Sequence, residues 1–354
     1  MKKIRTGIIG MGGMGCQYAS LILSGAVPYL ELTAVTRIGG NRKEWAEKEL
    51  PEWIPVFQSG KELIEQAEVE AVIIATPHYD HERDAILGLR SGLHVLCEKP
   101  LGAHVLQAER MIREAEKQGS VFAVMLQQRA SFLYQKLREI IQSGEYGHLR
   151  RVNWIVMDWY RSDSYYQSAA WRAAWPTEGG GVLLNQGTHN LDMIQWLCGM
   201  PERVMAFCRE GRWHDIEVED DATVYMEFPG GANGIFIAST GDRPGINRLE
   251  IDLDRAQIIC EDGKICVREP GDGTRCSSKV IEGKEQENLY KIMLQNFVAA
   301  IQGKEELIAP GREGVNSLMM INAMYLSSWR KQMVELPLDG EEYFRELKKK
   351  IKIN

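Results

Sequence analysis

The chain has 354 residues, 44% of them hydrophobic and 26% charged, with a formal net charge of −7. That length exceeds what one ordinary core organises, so two domains are expected, and the composition is that of a folded globular protein. The negative balance argues against non-specific binding to nucleic acid or to an anionic membrane surface, and no segment reaches the roughly 18 unbroken apolar residues of a membrane helix. The seven cysteines are scattered and never spaced C-x-x-C. That suits reduced thiols in a cytoplasm better than a disulfide framework or a zinc site. The first residues, up to Cys16, superficially resemble a lipoprotein signal, but their apolar centre is too short and too rich in glycine. The basic run Lys348 to Lys352 is short and reads as a solvated helix end.

Ile4 to Ile9 is an apolar run suited to a buried strand. It breaks into Gly10-Met11-Gly12-Gly13-Met14-Gly15 and passes into a helix-spaced segment with Tyr18, Ala19, Leu21 and Ile22. A strand that turns on glycines into a helix is a dinucleotide-binding arrangement. The first glycine permits the tight turn, the second lets backbone approach a pyrophosphate, and the third lets helix and strand pack closely. The unpaired N–H groups at the helix start then face the phosphates. Glu31 to Thr36 reads as a second strand, whose end should carry an acid for a ribose 2′-hydroxyl. Instead Thr36-Arg37 is followed by Gly39, Gly40, Asn41 and Arg42. A hydroxyl and a guanidinium there suit a 2′-phosphate, so the NAD(P) expected leans slightly towards NADP.

Glu70 to Ala75 suits a central parallel strand covered on both faces, and it stops at Thr76-Pro77. His78 and His81 open a helix that runs to about Arg90. Without accompanying carboxylate or thiol ligands, they point to a helix-start contact and not to a metal. Leu93 to Cys97 is another strand, ending in Glu98-Lys99-Pro100. The proline holds Lys99 extended, and strand C-termini in a parallel sheet face the ligand crevice, so Lys99 should project towards the cofactor. Thr76, Pro77, His81, Glu98 and Lys99 thus join the glycine turn, Thr36 and Arg37 as expected cofactor contacts. A helix from about Ala103 to Gln118 and a strand from Val121 to Leu126 complete an alternating half, a doubly wound Rossmann sheet over residues 1–126.

From about Gln127 the pattern changes. Strand-like segments follow one another: Leu149 to Tyr160, Arg203 to Arg209, Thr223 to Phe228, Gly234 to Thr240, Arg248 to Asp252 and Gln257 to Glu261. Turn signals such as Pro229-Gly230-Gly231 separate them. A mainly antiparallel sheet is implied for a second, α+β domain over 127–354. Helices are expected over His189 to Leu197, about Asn288 to Ile301, and Glu313 to Gln332. Between them lies an aromatic and polar stretch: Trp159-Tyr160-Arg161, Tyr165-Tyr166, Trp171-Arg172 and Trp175. Rings there can stack on a sugar's C–H face while polar groups bond its hydroxyls; about half of them are expected to be core or interface anchors instead. Trp213-His214-Asp215 with Glu217, Glu219, Asp220 and Asp221 lacks metal-ligand spacing and reads as a strand end and turn.

The glycine turn, Ala75-Thr76-Pro77, Glu98-Lys99-Pro100, Trp171-Arg172, the stretch Gly179 to Gly199 and the closing Glu335 to Asp339 together strongly resemble the Gfo/Idh/MocA family, the relatives of glucose–fructose oxidoreductase and inositol dehydrogenase. The resemblance covers nearly the whole chain. It implies a Rossmann domain, a C-terminal open and largely antiparallel sheet, a homodimer or homotetramer, and oxidation of a secondary hydroxyl of a sugar or cyclitol, or the reverse. It implies that Lys99 and His189 carry the chemistry. The family's aspartate position is Asn185 here. Asparagine can only orient substrate by hydrogen bonds, so the proton falls to His189 with Lys99 assisting, or the reverse. The resemblance also puts Trp171-Arg172 near nicotinamide or substrate. With Tyr160, Asn185 and His189 they complete the expected substrate contacts.

The expectation is therefore a cytoplasmic NAD(P)-dependent dehydrogenase or reductase for a sugar, glycoside or sugar derivative, with no metal and no nucleic-acid partner. Asn185 to His189 resembles the variant of family members that act at sugar position 3. Two alternatives are an NAD-dependent glycosidase working by transient oxidation and elimination, and a regulator that senses the cofactor without catalysis. Retention of Lys99 and His189 argues against the second.

Overall fold

A computed structural model describes residues 2–38, 42–271, 276–283 and 288–353; Gly39, Gly40 and Asn41, noted above beside Arg37, lie outside them. The chain divides into two units, Met1–Ala130 with Asn288–Val315, and Ser131–Glu287 with Asn316–Asn354.

In the first unit the strands are β1 (Ile4–Ile9), β2 (Leu30–Thr36), β3 (Val56–Phe57), β4 (Ala71–Ile74), β5 (His94–Cys97) and β6 (Phe122–Val124). The helices among them are α1 (Gly13–Leu23), α2 (Lys43–Glu49), α3 (Gly60–Gln66), α4 (His81–Arg90) and α5 (Val105–Gln118). Every pairing is parallel, in the order β3-β2-β1-β4-β5-β6. This is the Rossmann order, whose direction reverses between β1 and β4 and opens a ligand crevice there. All four residues of β4 are buried, as an apolar run covered on both faces requires. The chain-order expectation lacked α2, α3 and β3. Strand β3 has only two residues, too few to show a period, and α3 is announced mainly by its cap, Ser59 accepting from Glu62 N at 3.1 Å. The helix Leu289–Ile301 also belongs to this unit.

The second unit carries α6 (Phe132–Gln142), β7 (Leu149–Val156), α7 (Asp163–Gln167) and α8 (Thr188–Cys198). The strands β8 (Arg203–Glu210), β9 (Glu219–Glu227), β10 (Asn233–Ser239), β11 (Asn247–Leu253), β12 (Gln257–Glu261), β13 (Lys264–Pro270), β14 (Cys276–Glu282) and β15 (Val334–Glu335) follow. They form a nine-stranded sheet, β14-β13-β12-β11-β7-β10-β9-β8-β15. Among the described residues only β7 and β10 pair in parallel, so the sheet is mixed and mostly antiparallel. Ala222, Val224 and Met226 of β9 alternate inward with Val204 and Ala206 of β8, the period-2 pattern of a sheet with one covered face.

Three sequence expectations change in this unit. The strand expected to reach Tyr160 stops at Val156; beyond it Met157 N bonds Ile246 O at 2.7 Å and Arg161 N bonds Thr240 O at 2.9 Å, without a continuous ladder between them. Strands β13 and β14 were not foreseen. The side chains of β14 are almost all exposed, so no inward alternation marks it. Finally, Glu219 to Asp221 opens β9 instead of ending a turn.

Candidate active site

The glycine turn sits at the β1/β4 reversal. Gly10 adopts φ +96°, and a Cβ there would stand 2.5 Å from the Ala75 carbonyl carbon. Only glycine lets these two strand ends meet so closely. A Cβ on Gly15 would lie 2.1 Å from Gly10 O, whereas one on Gly12 would meet nothing within 4 Å. The first and third glycines are therefore closed by the protein's own backbone, and the second opens onto free space. Gly12 is the N-cap of α1 and supplies no side-chain cap, so the helix's first N–H groups remain to bond a ligand. Gly13, Met11 and Met14 complete this turn, and the buried Met11 packs beneath it. These features fit a dinucleotide pyrophosphate.

Thr36, buried at the end of β2, accepts from Gly10 N at 2.9 Å through its hydroxyl. Its first task is to hold the turn. Arg37 is exposed, and Arg42 places a guanidinium nitrogen 3.3 Å from where a Cβ on Gly13 would stand. Sequence order alone did not show that Arg42 returns to the glycine turn.

The other strand ends are tied together by His81. Its ring is fully buried, with Nε2 2.8 Å from Thr76 O and Nδ1 2.9 Å from Pro100 O. Burial holds the imidazole below its ordinary pKa although both carbonyls favour protonation. His81 thus joins the Thr76-Pro77 turn to the segment carrying Lys99. Glu98 accepts from the Tyr18 hydroxyl on α1 and from Lys99 N at 3.0 Å; burial pushes its carboxyl up. Its contacts thus serve to frame Lys99. Tyr18, whose role no spacing rule revealed, is fully buried against the edge of Tyr290.

In the second unit, Val182–Gln186 forms a π-turn directly before α8. Gly187 N reaches back to Val182 O at 2.7 Å. Such widened turns re-aim side chains and recur at functional sites. This one is anchored by Glu219, a fully buried carboxylate missed at the sequence level as a site residue. It accepts from Gly181 N and Leu183 N at 2.8 Å each and from Tyr325 OH at 2.7 Å. Burial pushes its carboxyl up to about 8 against the pull of these donors.

The turn presents Asn185, with His189 half-buried in the first turn of α8. Asn185 Nδ2 donates to Glu178 at 2.6 Å, and the other oxygen of Glu178 accepts from Ala173 N at 2.6 Å. Tyr165 OH receives N–H groups from Arg172 at 2.6 Å, Gln186 at 3.2 Å and Asn185 at 3.4 Å. Arg172 also stacks between the rings of Tyr165 and Trp171, 4.3 and 4.4 Å from their centroids. Tyr160 is exposed and its ring meets Arg243 instead of this cluster. Tyr166 and Trp175 are core residues. Among the described residues, no three His, Cys, Asp or Glu side chains are placed to hold a metal. The acid Asp220 instead accepts from the backbone N–H groups of Arg212, Trp213 and His214.

Residues 4–126 match the model of an oxidoreductase family with an NAD-binding Rossmann fold, and residues 134–266 match a GFO/IDH/MocA C-terminal domain. The chain belongs to the Gfo/Idh/MocA oxidoreductase family. It is 30% identical over 240 residues to trans-1,2-dihydrobenzene-1,2-diol dehydrogenase of Bos taurus, covering 67% of this chain and 68% of that one. It is 27% identical over 266 residues to 1,5-anhydro-D-fructose reductase of Ensifer adhaerens, covering 73% and 78%. A crystal structure of the WlbA dehydrogenase from Bordetella pertussis, in complex with NADH and UDP-GlcNAcA, superposes with a TM-score of 0.82. It is 26% identical, over 96% of this chain and 100% of that one. The family carries NAD-binding, sugar-related oxidoreductases that act on CH–OH groups.

Proposed function

We propose that this Gfo/Idh/MocA chain transfers hydride between NAD(P) and a secondary hydroxyl or carbonyl of a sugar, glycoside or sugar derivative, at position 3 of the ring. The observation that carries the reading is the π-turn and helix that present Asn185 and His189, together with a Lys99 framed by Glu98 and His81. When bound, the nicotinamide supplies the hydride acceptor or donor. In oxidation, the carbinol C–H leaves with its electron pair to the nicotinamide and the hydroxyl proton passes to His189. Lys99 donates a hydrogen bond that polarises the same oxygen. Asn185 cannot take a proton and orients the substrate. Gly10 to Gly15 hold the pyrophosphate. Arg42 beside Gly13, with Arg37 nearby in sequence, supports a 2′-phosphate and hence NADP. Phe207, Tyr225 and Ile235 are exposed on one face of the nine-stranded sheet, which supports self-association as a homodimer or homotetramer.

The test is incubation with NAD and with NADP against free sugars, glycosides and nucleotide sugars, recording cofactor absorbance and products. The reading expects cofactor reduction and a carbonyl at position 3. A carbonyl at position 1 overturns the regiochemistry. Release of a free sugar without net cofactor reduction indicates the glycosidase, and cofactor binding without turnover indicates the regulator.

A further inference from the structure

Two guanidiniums beside the π-turn lack the partner their charge calls for. Arg172 lies 4.3 Å and Arg161 5.0 Å from the centroid of the Tyr165 ring. Among the described residues neither forms an ion pair with a carboxylate; Arg161 Nη1 donates to the Tyr160 carbonyl at 3.2 Å and Arg172 Nη1 to Tyr165 OH at 2.6 Å, while the Nε atom of each is buried without a partner. Buried or half-buried cations are ordinarily paired. The acids close by in sequence do not meet that need: Glu178 bonds Asn185 and Ala173 N, and Asp158 accepts from Asn247.

Tyr165 sharpens the point. Its hydroxyl oxygen faces three N–H donors, from Arg172, Gln186 and Asn185, which exhausts its capacity to accept. The hydroxyl hydrogen has no acceptor among the described residues, so it remains to be donated to a ligand. The segment is also held firmly. Arg161 N bonds Thr240 O at 2.9 Å, and Arg161 O accepts from His214 Nε2 at 2.8 Å. His214 is fixed in turn by Asp220 at 3.0 Å, and Tyr166 by Thr240 at 2.8 Å. A preorganised seat of one phenolic donor and two cations, with no free acceptor, is mismatched to a sugar hydroxyl, which brings a donor as well as an acceptor. It matches a group that only accepts and carries negative charge.

We infer that Arg161, Tyr165 and Arg172 form a carboxylate seat, and that the substrate is a sugar acid or the glycoside of one. This rests on the dehydrogenase reading and adds the substrate's charge to it. Arg172 donates to the carboxylate through its terminal nitrogens, Tyr165 through its hydroxyl, and Arg161 adds the second positive charge. The ring carbon to be oxidised is then presented towards Asn185, which shares Tyr165 with the seat.

The experiment compares matched pairs, D-glucuronic acid with D-glucose and methyl β-D-glucuronide with methyl β-D-glucoside, in wild type, Arg161→Met, Arg172→Met and Tyr165→Phe. The acid is expected to be preferred in kcat/KM by on the order of tenfold or more, mainly through KM. The acid-to-neutral ratio should fall towards one in each arginine variant and fall less in Tyr165→Phe. The ratio is measured on one enzyme sample, so partial misfolding cancels. A neutral sugar used as well as or better than its acid, or a ratio unchanged in both arginine variants, overturns the seat. If no sugar is turned over, tryptophan fluorescence titration of the cofactor-loaded protein separates the two readings. Tighter binding of glucuronate than glucose, lost in Arg172→Met, keeps the seat and removes the dehydrogenase; equal binding removes both.

Discussion

Glu219 makes the stability of the second unit depend on pH in a direction opposite to most carboxylates. Its side chain is fully buried, and burial pushes its carboxyl from an ordinary 4.5 up to about 8. Between those values the unfolded chain has released a proton that the folded chain retains, so raising the pH favours unfolding. At about 1.4 kcal/mol per pKa unit, the full window is worth at most about 5 kcal/mol. Stability from this group is complete below pH 4.5 and is lost as pH rises through 8. Urea unfolding at a series of pH values measures it. Trp175 is a suitable reporter, since its ring stands 5.1 Å from Tyr325, the residue that donates to Glu219. Glu219→Gln does not titrate, although its amide presents a donor to the N–H groups of the π-turn and costs about 1–3 kcal/mol at any pH. The advantage of wild type over Glu219→Gln should therefore shrink by several kcal/mol between pH 5 and 8.5. A difference that stays constant, or grows with pH, refutes the reasoning. It would mean that the three donors outweigh burial and keep the carboxylate ionised throughout.

Gly12→Ala should leave the apo protein's melting temperature unchanged yet weaken NAD(P) binding at least tenfold by fluorescence titration. Gly15→Ala, with its Cβ 2.1 Å from Gly10 O, should lower both, the melting temperature by an amount that reflects about 2 kcal/mol or more. Lys99→Ala should reduce kcat by roughly 10²–10⁴-fold in steady-state assays while the cofactor Kd stays within a few-fold. His81→Leu removes a ring whose two nitrogens lie against the Thr76 and Pro100 carbonyls, one of which receives its N–H. It should cost about 1–3 kcal/mol in denaturant unfolding and lower kcat with Lys99 still in place. Asn185→Asp should lose activity at neutral pH and recover part of it at lower pH, as read from a pH–rate profile, with further recovery on adding Glu178→Gln.

The Rossmann half was legible because its signals are local. The apolar run of β4, the glycines after β1 and the Pro100 that ends the Lys99 segment each act within a few residues. The fold class of the second half was legible from strand succession, but β14 was not, because a solvent-exposed strand has no inward face to alternate. In the site, Gly10, Thr36 and Lys99 were singled out by their positions at strand ends, whereas Asn185 and His189 were singled out only by resemblance to the family's motif. Tyr18, Glu178 and Glu219 were marked by neither. Their partners lie 80, 7 and 38 residues away in sequence, and what singles them out is burial, which no local pattern encodes for an acid or a phenol. Arg42 went unweighted for the same reason, since its place beside Gly13 depends on how the chain returns after β2.

Glu178 gives a physical account of the asparagine that stands where the family has aspartate. Glu178 is buried, and Asn185 Nδ2 donates to it at 2.6 Å. An aspartate in that place would set two carboxylates in contact, and like charges so close cannot both ionise; one proton must be shared between them. The amide removes the conflict and turns repulsion into a hydrogen bond. That bond fixes which end of the Asn185 amide faces Glu178. The exchange therefore removes a titrating group from this turn, and the Asn185 amide, bonded to Glu178 and to Tyr165 OH, becomes part of a hydrogen-bonded platform. Loss of a titrating group here and gain of orientation are two consequences of one buried glutamate.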